Sequence, residues 1–192
     1  MWAKRFVLPD FDYEGLKDLE WSSPALISED EAIHRAKSAS SDSRSEIGVF
    51  PVQASDALYE RFDIKGVYRH AVLCVTPQEK VTLLGKSHAW KKQRLLILDS
   101  IEIENAQVLM DWKTARPMST RLGPIDGVQL PGGSWYVIVS HMIGNHFVGN
   151  RTLLSSISQE DQKANGLSIM SSSEPEFNDF HDCNLYITWS GN

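Results

Sequence analysis

The sequence predicts a mainly β fold, an antiparallel β-sandwich or barrel with a few short peripheral helices. Three observations carry that reading. Short apolar or alternating runs dominate from Ile47 onward, clusters of turn residues separate them, and the helical signals are few and brief. With 192 residues the chain is expected to form one domain, large enough to bury a core without metal or disulfide staples.

The elements follow in chain order. Trp2 to Leu8 reads as a first strand, stopped at Pro9-Asp10 because proline brings no ladder donor. Ser28-Glu29-Asp30-Glu31 is a capping box with an acidic first turn, and a helix follows to about Lys37. Residues 38–46 are Ser-rich and are expected to form a mobile loop, since they offer little apolar area to offset their ordering entropy. Ile47 to Val52 is a short apolar run, and Ser55-Asp56 caps a brief helix through Tyr59 and Phe62.

Val67 to Thr76 alternates, and Pro77-Gln78-Glu79-Lys80 turns the chain into Val81 to Leu84, which reads as a hairpin. Leu95 to Ile103 and Gln107 to Trp112 are two further strands, with helix the alternative for the first. Val128 to Leu130 and Trp135 to Val139, joined by Pro131-Gly132-Gly133, read as a second hairpin and as the central support of the fold. Ser158-Gln159-Glu160-Asp161 begins a short helix that Asn165-Gly166 can end, and Asn184 to Trp189 closes the chain as a strand.

A net charge of -6 disfavours a general nucleic-acid binder, whose affinity comes from clustered cations, and suits a basic partner. The basic run Lys86 to Arg94 carries Trp90, which could stack on a base, but a solvated loop with one anchoring aromatic is the preferred reading. No apolar run is long enough for a membrane span, and Met1 to Pro9 has too short an apolar stretch for a signal peptide, so a cytoplasmic location is expected. Cys74 and Cys183 are then expected as free thiols.

No motif specifies a catalytic mechanism. Asp10-Phe11-Asp12-Tyr13-Glu14-Gly15 matches the opening half of a calcium loop, but Trp21 stands where the bidentate Glu belongs. His70 and Cys74 are about 13 Å apart along a strand, too far to pair. His141 and His146 flank a turn at Gly144-Asn145, and with His181 or Cys183 they could share a metal; the preferred reading is two histidines at strand ends and no cofactor.

Asp10, Phe11, Asp12, Tyr13 and Glu14, together with Glu174, Glu176, Phe177, Asp179 and Phe180, mix carboxylates with large aromatics. Such loops suit a basic protein partner, the rings anchoring and the charges steering encounter. With the strand-PGG-strand unit, they give the layout a resemblance to small acidic immunity proteins of bacterial toxin systems. That resemblance implies a non-enzymatic, cytoplasmic protein that neutralises a toxin, a nuclease or similar, by occluding its active site. Two alternatives stand beside it. One is a metal-dependent enzyme assembled from His141, His146, His181, Asp182 and Cys183; the other is a small-ligand β-barrel lined by Trp135 or Trp189.

Overall fold

A computed structural model describes residues 26–41, 47–66, 68–87, 89–114, 121–122, 127–156, 165–173 and 182–189. Among them are two helices, α1 (Glu29–Ser41) and α2 (Asp56–Arg61), and thirteen strands. The predicted first strand, the acidic loop 10–14, the helix at 158 and the acidic segment 174–180 lie outside the described residues.

The strands form two sheets that do not close into a barrel, so the sandwich half of the prediction holds. In the seven-stranded sheet A, β9 (Ser134–Ile143) is central. One flank of β9 pairs with β5 (Gln93–Leu98), which pairs in turn with β6 (Val108–Lys113). The other flank is shared: β3 (His70–Val75) takes its first half and β10 (His146–Gly149) its second. Beyond these lie β1 (Gly48–Gln53), paired with β3, and β2 (Ile64–Lys65), parallel to β10. The six-stranded sheet B runs β11 (Arg151–Ser156), β12 (Asn165–Ser172), β13 (Cys183–Trp189) and β4 (Val81–Ser87). Two short strands share the far flank of β4, namely β7 (Arg121–Leu122) and β8 (Val128–Leu130).

Side chains alternate across a strand, and β9 shows what that does here. Trp135, Val137 and Val139 point between the sheets, where they join Val72, Leu83, Leu95, Ile97, Ile169, Leu185 and Ile187 in one apolar core. Tyr136 and Ile138 point the other way, into a second core with Leu73, Leu96, Leu98, Leu58 and Tyr59. The helices cover that outer face, so the central strands β3, β5 and β9 are buried on both sides and read as near-continuous apolar runs. Burial pushes the Tyr136 phenol up to about 12, aided by nearby Glu102 and Glu29.

The Ser28 half of the capping box forms, with the Glu31 amide donating to the Ser28 hydroxyl at 3.1 Å, while the Glu31 carboxylate accepts from Arg35 Nε at 2.7 Å. The helix then continues to Ser41, through the first residues of the segment expected to be a mobile loop. The β3–β4 connection and β9 hold it there: Gln78 Nε2 donates to the Ala39 carbonyl at 2.8 Å, and the Ser134 hydroxyl to that of Ala36 at 3.3 Å. Ser55 caps α2 by accepting the Leu58 amide. Asn165 and Gly166 open β12, where they pair with Trp189 and Thr188. No described helix is long and apolar enough to cross a membrane.

Both predicted hairpins are corrected. β3 lies in sheet A and β4 in sheet B, as do β9 and β8 respectively, so residues 76–80 and 131–133 are arches between the sheets. The two arches pack on each other. Thr76 donates its amide to the Gly133 carbonyl at 2.7 Å, and its hydroxyl accepts the Gly133 amide at 3.0 Å. A Cβ on Gly132 would lie 1.8 Å from the Pro77 carbonyl oxygen, so only glycine permits this approach.

Candidate functional site

The opposite end of the sandwich is built differently. There β4 passes to β5 through residues 88–92, β9 turns into β10 at Gly144, and the chain crosses from β10 to β11 at Asn150. The β9–β10 turn is a true hairpin, with Gly144 at φ 59° as the Gly144-Asn145 signal predicts.

Within the inter-sheet space the apolar core ends in a polar layer. Gln93, His141, Asn150, Ser171, Ser173 and Asp182 are all buried. Asn150 is the hub. Its Nδ2 donates to Gln93 Oε1 at 2.9 Å and to the Ser171 hydroxyl at 3.2 Å, while its backbone amide donates to the Val139 carbonyl at 2.9 Å. That leaves Oδ1 as an acceptor, 2.5 Å from His141 Nδ1, which therefore carries a proton. Ser171 passes its own hydroxyl proton to the Cys183 carbonyl at 2.7 Å. One amide thus joins β5 and β9 of sheet A to β12 of sheet B, satisfying polar groups that would be costly to leave unpaired.

Asp182 closes the layer. Its Oδ2 accepts both the amide and the hydroxyl of Ser173 at 2.6 Å, and its carbonyl accepts the Ser87 hydroxyl at 2.7 Å. The carboxylate thus ties Ser173, just after β12, to Asp182, just before β13.

The layer also reaches the surface. Gln93 Nε2 donates to the Lys91 carbonyl at 3.2 Å, the Gln93 amide to the Thr114 hydroxyl at 2.9 Å, and the Met142 amide to the Lys92 carbonyl at 2.8 Å. These bonds hold the short loop that carries Trp90. Trp112, Trp135 and Trp189 are buried, but Trp90 is 76% exposed. Lys91, Lys92, Asn145 and His146 are at least partly exposed at this same end.

The metal candidates do not converge. His141 faces Val148 across the ladder and His146 faces Ile143, so the two are offset rather than directly opposed, and His141 Nδ1 is already engaged. Burial, and secondarily the Asp182 charge, pushes the Cys183 thiol up and keeps it protonated, an inert form for ligation or attack. Among the described residues no three His, Cys, Asp or Glu side chains form a metal-holding group; His181 lies outside them. Arg94 leaves the basic cluster: it is buried on the other face of sheet A, forked onto Asp111 at 2.9 and 3.1 Å and over the Phe147 ring at 5.3 Å. Trp135 and Trp189 pack in the inter-sheet core and line no barrel.

Sequence reading named His141 and Trp90 but missed Gln93 and Asn150. A signal for Gln93 was present: it is the polar member of an inward row that continues with Leu95 and Ile97. For Asn150 there was none, since its role follows from which sheet the chain enters next.

No family model matches the sequence, and no curated protein does. Three solved structures to which this chain is similar are lectins. The Ralstonia solanacearum high-affinity mannose-binding lectin is 16% identical over 62% of this chain and 96% of its own, with a TM-score of 0.47. A Chromobacterium violaceum lectin solved with alpha-methyl-fucoside is 11% identical over 62% and 96%, with a TM-score of 0.43. The C-terminal domain of a Burkholderia cenocepacia lectin is 18% identical over 62% and 93%, with a TM-score of 0.40. The expected immunity protein or toxin inhibitor is corrected: the solved structures reported as similar to this chain are lectins. The loops meant to meet a toxin, residues 10–14 and 174–180, lie outside the described residues.

Proposed function

We propose that this chain is a carbohydrate-binding module that stacks a sugar ring on Trp90. The single observation that carries the reading is an indole 76% exposed on a loop whose base is hydrogen-bonded into the buried polar layer. Among the described residues Trp90 is the most exposed large hydrophobic side chain, and an indole, apolar in body with one polar N–H, is suited to anchoring a ligand at a wet surface. The C–H face of a pyranose matches an indole in size and polarity, and its hydroxyls need donors and acceptors at the rim. Lys91, Lys92, Asn145 and His146 supply these at the same end of the sandwich.

The test is calorimetric titration of the purified protein with a panel of monosaccharides and oligosaccharides that includes mannose and alpha-methyl-fucoside. Binding by the wild type that is lost in Trp90→Ala, with an unchanged melting temperature, supports the reading. No binding across the panel, or binding indifferent to Trp90→Ala, removes it.

A further inference from the structure

We infer that Gln93 and Asn150 are positioning residues for the loop that carries Trp90, an internal amide relay that fixes the backbone beside the indole before any ligand arrives. The inference rests on the carbohydrate-binding reading for its functional meaning, but its physical content is independent of ligand. The relay has two links in series. Asn150 Nδ2 donates to Gln93 Oε1 at 2.9 Å, and Gln93 Nε2 donates onward to the Lys91 carbonyl at 3.2 Å, one residue from Trp90.

Both side chains are buried, Gln93 fully and Asn150 almost so, and so lose no bonds to water competition. The far end of the relay is anchored in both sheets, through the Asn150 amide on Val139 and through Ser171. Thr114 fixes Gln93 a second time by accepting its backbone amide at 2.9 Å. An exposed ring on a short loop would otherwise sample several orientations, and a ligand would have to bear the entropy of selecting one. A buried primary amide suits this role because it donates and accepts at once, linking a rigid core to a loop carbonyl.

The experiment uses the whole protein labelled with 5-fluorotryptophan. The Trp90 fluorine signal is assigned by its absence in Trp90→Phe. In Gln93→Met, close in shape but unable to donate or accept as an amide does, the Trp90 signal is expected to broaden and move toward the random-coil position. Sugar affinity is expected to fall by about threefold to tenfold, the equivalent of immobilising one side chain anew. Val137→Ala, which destabilises the inter-sheet core away from the relay, should lower the melting temperature and leave the Trp90 signal in place. Should Gln93→Met fail to fold, Thr114→Val weakens the same anchor and should move the signal in the same direction by less. An unmoved Trp90 signal in the relay variant, or one moved equally by Val137→Ala, overturns the inference. A signal that moves as expected in a protein that binds no sugar upholds the relay and rejects the carbohydrate reading.

Discussion

The two ends of the sandwich solve one problem, passing chain between sheets, by opposite means. At the arch end the backbone itself is packed: Gly132 admits no side chain against Pro77 and Glu79, and Thr76 and Gly133 exchange bonds directly. At the Trp90 end the crossovers are held apart and bridged by side chains, with Asn150 as the hub. Backbone-on-backbone closure leaves nothing free to meet a ligand. Side-chain closure leaves a rim of loops standing on a rigid polar floor, which is how binding loops are carried by a scaffold.

The strongest way to break this contrast is at Gly132. Gly132→Ala should destabilise the fold by more than about 3 kcal/mol in urea unfolding, because the new methyl meets backbone that cannot yield. A loss under about 1 kcal/mol would mean the arches are loosely packed. Asn150→Ala comes next. It removes the partner of Gln93 Oε1 and of His141 Nδ1 in a buried site, and should cost about 2–3 kcal/mol by the same measurement. Thr76→Val removes the acceptor of the buried Gly133 amide, for about 1–2 kcal/mol.

Trp90→Ala should by contrast change stability by less than about 0.5 kcal/mol, since the ring is mostly in water. A large loss would show the indole to be a packing residue and would erase the difference between the ends. The smallest effect is at His70, whose imidazole burial holds below its usual 6.5. The unfolded chain then binds more protons than the native one as pH falls through 6.5. Stability is therefore full above that value and declines below it, until the native imidazole is protonated too. Unfolding midpoints measured from pH 8 to 5 should show this slope in the wild type and a shallower one in His70→Gln.

Much of the strand content was legible because alternation and turn residues are local signals. Val108 to Lys113 and Cys183 to Trp189 fall within a residue of where the pattern puts them, and both helix caps are where Ser28 and Ser55 indicate. Sheet membership was not legible. Pro-Gly-Gly looks the same to a local reading whether it reverses a strand beside itself or carries it across a sandwich, and the choice rests on partners far away, such as Leu130 with Val81. The site divided along the same line. Trp90 stood out in a basic run and His141 beside a glycine turn, but Asn150 has meaning only once β10 and β11 are known to lie in different sheets.

In the proposed function Trp90, alone among the described tryptophans, meets a sugar. The direct measurement follows the indole N–H signals of the six tryptophans by NMR as sugar is added, with Trp90 assigned through Trp90→Phe. The Trp90 signal is expected to move and saturate while those of Trp112, Trp135 and Trp189 stay fixed. A shift confined to the buried tryptophans, or none at any sugar concentration, would contradict it.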